Sequence, residues 1–468
     1  MRQIYNPQRP TRRETLAMLT GCIAAPVAGI APVASIEPRT WQLTLPAVPA
    51  RRHRDVNIVQ HGARPDGTPA TSAIAAAIEF CAQSGGGRVI VPSGRFRTGA
   101  IMLRSCVELH LEAGAVLAFS TDPADYPLVP TRWEGVELMN FAPLISGRDL
   151  HDVAITGEGT LDGCASSQTW WSWSGGSQFG WHAGLPDQRR DRAALFAMAE
   201  AGVAPEQRVF GPGHFLRPMF VQFQRCSRVL IEGVTIRDSP FWAIHPVLSQ
   251  DVTVRGVTVI GHGPNTDGCN PESVERMLID RCVFDSGDDC VAIKSGRDMD
   301  GRRIGVPTRR ILVRDCTMRA GHGGVTIGSE ISGGVSDVLV ERCTMSSPDL
   351  WYALRIKTNP RRGGRIDGIH LRDITVGRVA RAAIGCDFTY EGPEGPYPPR
   401  VSDIVVDRLH ASDVERVLEL HGVPGTPVAG LSLRDCRFDR VRAPSILNMA
   451  SPLTLERVRV GGRLTSRL

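Results

Sequence analysis

The segment RVLIEGVTI, residues 228–236, carries apolar residues at its second, fourth, seventh and ninth places, with mostly polar residues or glycine elsewhere. The same pattern returns as DVTVRGVTV at 251, RMLIDRCVF at 276, RILVRDCTM at 310 and DVLVERCTM at 337. It continues as GIHLRDITV at 368, DIVVDRLHA at 403, GLSLRDCRF at 430 and PLTLERVRV at 452, with looser copies DVAITGEGT at 152 and CVELHLEAG at 106. Alternation within each half of the unit is a strand signal, and the change of phase in its middle marks a sharp bend between two short strands.

From 228 onward successive copies start between 22 and 35 residues apart, so the pattern is kept while the connecting loops vary. A unit of this size cannot bury its apolar face alone. Stacked copies can, each strand pairing in parallel with its equivalent in the next coil. The expected fold is therefore an all-β, right-handed parallel β-helix. Its interior should include the seventh place, which reads Val234, Val257, Cys282, Cys316, Cys343, Ile374, Leu409, Cys436 and Val458. The four cysteines in that column read as small interior hydrophobes rather than disulfide partners.

The chain has 468 residues and twelve cysteines, with no Cys-x-x-Cys spacing that would suggest a zinc site. Its start has the order of an export signal: Thr11-Arg12-Arg13-Glu14-Thr15-Leu16 sets an arginine pair before the apolar run Leu16 to Ala34, in the manner of a twin-arginine signal. The expected organisation is an export signal over 1–35, a linker over 36–54 and one catalytic domain over 55–468 with an insertion at about 165–216. The product would be periplasmic or secreted. Pro26 and Pro32 argue against a membrane-spanning helix; Leu19-Thr20-Gly21-Cys22 resembles a lipoprotein processing site, and only lipidation of Cys22 would bring the protein to a membrane. Removing residues 1–35 takes away four arginines and one glutamate, so the formal charge falls from +5 to +2. That balance, with no basic stripe, gives no indication of a nucleic-acid partner.

Ser72 to Gln83 has helical spacing and ends at Gly85-Gly86-Gly87, which suits a helix capping the open N-terminal end of the stack. The insertion contains Trp170-Trp171-Ser172-Trp173 and Trp181. Aromatic residues in a long loop either line a sugar site or pack locally, and the second is commoner.

The repeat also acts as a ruler. Asp267 lies eight residues beyond Val259, Asp288 four beyond Phe284 and His322 four beyond Met318, while Arg355 and Lys357 lie ten and twelve beyond Met345. Asp288 and His322 thus occupy equivalent places on successive coils, with strand spacing of about 4.8 Å. Alternation around Ile356 points Arg355 and Lys357 to one side. Singly, each of these is ordinary: aspartates belong in turns, and charged strand residues usually face solvent. Together they present Asp267, Asp288 with Asp289, His322, and Arg355 with Lys357 on four consecutive coils. Crowded carboxylates raise the pKa of at least one of their number, which suits the acid and base of glycoside hydrolysis.

Asn265-Thr266-Asp267, Gly287-Asp288-Asp289, Gly321-His322-Gly323 and Arg355-Ile356-Lys357 resemble, in order and approximate spacing, the four signature segments of the polygalacturonases, glycoside hydrolase family 28. Ser239 to Pro246 and Gly328-Ser329-Glu330 look like its bacterial branch. The resemblance implies inverting hydrolysis of α-1,4 bonds between galacturonates in a pectic polysaccharide or oligogalacturonide, by a monomer with no metal or other cofactor. It makes Asp288 the general acid and gives the water to Asp267 and Asp289. His322 would support the acid's protonation, and Arg355 and Lys357, with Asn265, would bind substrate. The two cations suit a polymer bearing a carboxylate on each ring. The insertion and the loop Asp298 to Thr308 stand to wall off one end of the groove, which would make cleavage exo-acting. Alternatives are a rhamnogalacturonan or xylogalacturonan hydrolase, a pectate lyase-type enzyme on the same fold, and a β-helix used only for glycan binding or adhesion.

Overall fold

The computed structural model describes residues 44–50 and 52–468. The expected export signal, with Cys22, and the first part of the linker lie outside the described residues. The described residues form one unit.

The coils stack short strands into three parallel faces around one core, and in Arg365–Asp387 and Arg400–His421 one continuous strand runs through successive faces. The first half of the nine-residue unit builds the first sheet, as in Ser227–Glu232, Gln250–Arg255, Glu275–Asp280, Thr308–Arg314 and Val335–Glu341. The second half builds the second, as in Thr235–Arg237, Thr258–Gly261 and Val283–Ser286. The register is that of the repeat: Val229 pairs with Val252, Val252 with Met277, and Met277 with Ile311. The sequence pattern covered only these two. A third sheet, including Val221–Gln224, Ile244–Val247, Val291–Ile293, Val325–Gly328 and Tyr352–Lys357, lies outside the repeat unit and carries the polar cluster.

The bend between the first two sheets has a specific cause. In all nine copies from 228 onward the residue at the sixth place has positive φ: Gly233, Gly256, Arg281, Asp315, Arg342, Asp373, Arg408, Asp435 and Arg457. A left-handed residue costs about 1–2 kcal/mol when it bears a side chain. From Arg281 onward arginine and aspartate alternate there, and pairs on adjacent coils join: Asp315 with Arg342, Asp373 with Arg408 and Asp435 with Arg457. These half-exposed pairs offset only part of the strain, but they favour one coil-to-coil register.

All eleven described cysteines are free, and Cys282, Cys316, Cys343 and Cys436 are buried in the core column. Helix α1, Thr71–Gln83, turns Ile74, Ala77, Ile78 and Cys81 into the same core.

The chain leaves the stack after Thr160–Asp162 and re-enters at Val221–Gln224. Between them lies helix α2, Arg189–Glu200, and a short strand, Val209–Phe210, that pairs with a hairpin formed by Leu128–Trp133 and Val136–Phe141. Trp133, Val136, Leu138, Leu195, Ala199, Phe210 and Trp242 close around a second small core. Sequence reading did not anticipate the hairpin. Of the insertion's tryptophans, Trp170 and Trp173 pack edge-to-face on each other, with Tyr126 against Trp170 and Phe215 against Trp173. Trp181 carries the Arg189 guanidinium over its ring. Trp171 reaches out of the insertion, its Nε1 donating to the Ser239 carbonyl at 2.9 Å and its ring lying against Gly263.

Candidate active site

The third sheet runs Val291↔Val325↔Leu354 from coil to coil, with Thr326 beside Arg355 and Gly328 beside Lys357. Inward residues such as Val291, Ile293, Ile327 and Ile356 fill the core. The alternate residues face the opposite side, and that alternation sets Lys294, Thr326, Arg355 and Lys357 on one surface. The acidic residues enter on the loops that precede these strands. Thr266 joins two of those loops: its Oγ1 is 2.8 Å from the carbonyls of Gly261 and Gly263 and accepts from the Gly287 N–H at 3.2 Å.

Two glycines are dictated by the close approach of the coils. A Cβ at Gly287 would stand 2.4 Å from the Gly263 carbonyl, and one at Gly323 would stand 2.2 Å from Thr326 Oγ1 and 3.1 Å from Asp289 Oδ1. Side chains at either position would push the carboxylate-bearing loops apart.

The fold brings Asp267, Asp288, Asp289, His322, Arg355 and Lys357 together. Asp288 Oδ1 lies 2.9 Å from His322 Nδ1, and the His322 ring stacks on Trp351 with centroids 4.0 Å apart. Asp289 is fully buried; it accepts from Lys357 Nζ at 2.8 Å and Thr326 Oγ1 at 2.7 Å, with Arg355 Nη1 at 3.9 Å. Asp267 accepts from Asn270 Nδ2 at 2.6 Å on Oδ2. Asn265 borders the same pocket, but its Oδ1 is taken by Arg217 Nη2 at 2.7 Å. Its left-handed backbone, at φ 57°, turns the chain into Asp267.

Proton affinities diverge within this cluster. Burial and the neighbouring Asp288 charge push the Asp267 carboxyl well above the ordinary range. Burial would raise Asp288 too, but the His322 hydrogen bond and charge outweigh it and hold that carboxyl below its usual value. Burial opposes the charge on Lys357, and Asp289 more than restores it, so this ammonium stays protonated. The free site therefore favours its proton on Asp267 rather than Asp288. That distribution belongs to a coupled pair, and a proton shared within such a pair can be redistributed without changing the total.

Around this centre lies a charged network that the sequence reading did not assign. Glu330, quoted above only for its resemblance, accepts from Lys294 Nζ at 2.9 Å and Arg297 Nη2 at 2.9 Å. Arg297 also reaches Glu134 at 3.1 Å and Glu391 at 3.2 Å, and Arg192 of α2 reaches both of these glutamates. Arg362 joins Glu391 to Asp298 at 2.5 Å each, the latter at the start of helix α3, Asp298–Ile304. Hairpin, insertion helix and α3 are thus tied by ion pairs at the edge of the candidate pocket, which Glu134, Arg192 and Glu391 border. Lys294 was legible in principle, because alternation through Val291-Ala292-Ile293-Lys294 places it outside the core. Glu134, Arg192 and Glu391 had no periodicity to reveal them.

Elsewhere among the described residues, Cys106, His151 and Asp152 gather potential metal-ligand atoms. Their capacity is already engaged: Arg228 holds both Asp152 oxygens, and Arg52 Nη2 donates to Cys106 Sγ.

The sequence profile of the glycosyl hydrolases family 28 matches residues 214–442. An exo-poly-α-D-galacturonosidase of Dickeya chrysanthemi is 27% identical over 480 residues, covering 92% of this chain and 77% of the relative. A probable polygalacturonase of Vitis vinifera is 29% identical, covering 83% and 74% respectively. Among solved structures, a hyperthermoactive exopolygalacturonase of Thermotoga maritima is 43% identical and superposes with a TM-score of 0.88 over 91% of this chain and 95% of that one.

Proposed function

Because this chain belongs to the glycosyl hydrolases of family 28, we propose that it is a polygalacturonase that hydrolyses α-1,4-galacturonosidic bonds in pectic substrates. The observation that carries this reading is the meeting of Asp267, Asp288 and Asp289 with His322, Arg355 and Lys357 on consecutive coils, with Asp267 and Asp288 differing in proton affinity. Asp288 delivers a proton to the leaving oxygen as the bond from that oxygen to the anomeric carbon breaks. A water held by Asp267 and Asp289 gives its proton to Asp267 while its oxygen bonds the same carbon from the opposite face, so the configuration inverts.

In the free enzyme the proton favours Asp267, and the reactive form is the same site with that proton on Asp288. Such a redistribution needs no net uptake. His322, hydrogen-bonded to Asp288 and held by Trp351, fixes the carboxyl's orientation. Arg355 lies at about contact range of the Trp351, Tyr352 and Tyr390 rings, and its guanidinium suits a galacturonate carboxylate. Lys357 is already engaged by Asp289, so its first role is to hold that carboxylate in place.

We further propose exo action, supported by the likeness to exopolygalacturonases and by the wall at the pocket's edge. Chromatography of early products from polygalacturonate tests it: galacturonate alone is expected, and a ladder of oligomers would overturn it. Proton NMR of the first product tests inversion, for which the β-anomer is expected to accumulate first. Strong ultraviolet absorbance from an unsaturated product would sink the hydrolase reading itself. The export signal read at residues 1–35 supports action outside the cytoplasm.

A further inference from the structure

Lys294 is a buried cation whose ammonium approaches the Asp267 carboxylate. Its Nζ donates to the Gly328 carbonyl at 3.1 Å and to Glu330 Oε2 at 2.9 Å, and sits 4.5 Å from the Trp242 ring centroid. Two of its three N–H groups are thereby used. The third has Asp267 Oδ2 within 4.0 Å. The same oxygen accepts from Asn270, which leaves Oδ1 of Asp267 as the oxygen not held by these groups.

We infer that Lys294 is the positioning residue for the water-activating carboxylate, its uncommitted N–H stabilising Asp267 in the ionised form needed when the proton resides on Asp288. This rests on the proposed hydrolytic mechanism and deepens it. Asp267 faces Asp288 and Asp289 from the next coil, Lys294 from the strand after them and Lys357 from farther along the stack. Lys294 in turn faces Glu330, Asp267, Asp289 and Lys357. Of the two cations near Asp267, Lys357 is bonded to Asp289 at 2.8 Å, whereas Lys294 brings its Nζ to 4.0 Å from Asp267 Oδ2. Burial alone would hold the proton on Asp267; a cation at this distance opposes that, because an opposite charge within about 4–6 Å moves a carboxyl pKa by roughly 1–3 units.

A purely structural role is the competing explanation, since Lys294 also neutralises buried Glu330. The two are separable. Lys294→Met removes the charge with little change of length, Lys294→Arg keeps it, and the double variant Lys294→Met/Glu330→Gln removes both members of the buried pair. The pH dependence of kcat/KM on polygalacturonate is measured for each, with Asp267→Asn as reference and the thermal midpoint as a check on folding.

Loss of the cation raises the pKa of Asp267, which holds the proton in the resting form, so the alkaline limb should move to higher pH by about one unit or more, and the fraction of sites with that proton on Asp288 falls, reducing kcat at least tenfold. The shift should persist in the double variant and be reversed in Lys294→Arg. An alkaline limb that returns to its wild-type position in the double variant, or does not move in a folded Lys294→Met, would overturn the inference while leaving the hydrolytic reading intact. Wild-type rates in Asp267→Asn would instead overturn the mechanism on which the inference rests.

Discussion

His322 Nδ1 lies 2.9 Å from Asp288 Oδ1 and both residues enter the site from equivalent places on successive coils. The His322 hydrogen bond, with its charge, holds Asp288 below its ordinary pKa against the opposing effect of burial. Asp288→Asn should lower kcat by about 10²–10⁴-fold while leaving the circular-dichroism spectrum unchanged. His322→Gln removes the charge, so the Asp288 pKa rises. The features of the pH–rate profile set by Asp288 should then shift upward, which initial rates between pH 3 and 9 would reveal.

Lys357 and Asp289 form a buried pair at 2.8 Å. Replacing Lys357 with Met leaves Asp289 buried beside Thr326 and a distant Arg355, and breaking such a pair costs about 3–5 kcal/mol. The thermal midpoint should fall by several degrees and kcat should collapse. Lys357→Met combined with Asp289→Asn should recover most of the stability and none of the activity, as read by calorimetry and reducing-sugar release.

Glu391 gathers Arg192, Arg297 and Arg362 at the wall of the pocket. Burial alone would raise its pKa, but Arg297 and Arg362 bring it down to about 2. A carboxyl depressed in the folded state contributes stability above its unfolded pKa, near 4.5, and loses it as pH falls toward 2. The thermal midpoint of Glu391→Gln should therefore lie below that of the wild type at pH 6, and the gap should close between about pH 4.5 and 2. A gap unchanged at pH 2 would deny the ion pairs their part in holding the wall.

Arg408 has φ 52° at a corner and bonds Asp373 on the preceding coil through both carboxylate oxygens. Arg408→Gly loses the pair but relieves the left-handed strain, so its stability to urea should stay within about 1 kcal/mol of wild type. Arg408→Val loses the pair and keeps the strain with a β-branched side chain, and should be less stable by about 1–3 kcal/mol.

The nine-residue pattern was enough to reveal stacked parallel coils, because burial of alternating side chains in a repeated strand leaves a periodic record in the chain. Counting along it also brought Asp267, Asp288, Asp289, His322, Arg355 and Lys357 to one surface. What no periodicity recorded was how these groups are shared out. That Lys357 belongs to Asp289, that Asn265 is bound by Arg217, and that Lys294 keeps a donor near Asp267 depend on distances of a few ångströms between coils. The wall was hidden for a different reason: Glu134, Arg192, Arg297 and Glu391 come from a hairpin, an inserted helix and two separate coils, and only the folded chain brings charges so far apart in sequence into contact. Hydrophobic periodicity is a local property of the chain and can be read from it, whereas the protonation and enclosure of a site are set by the nearest charges in space.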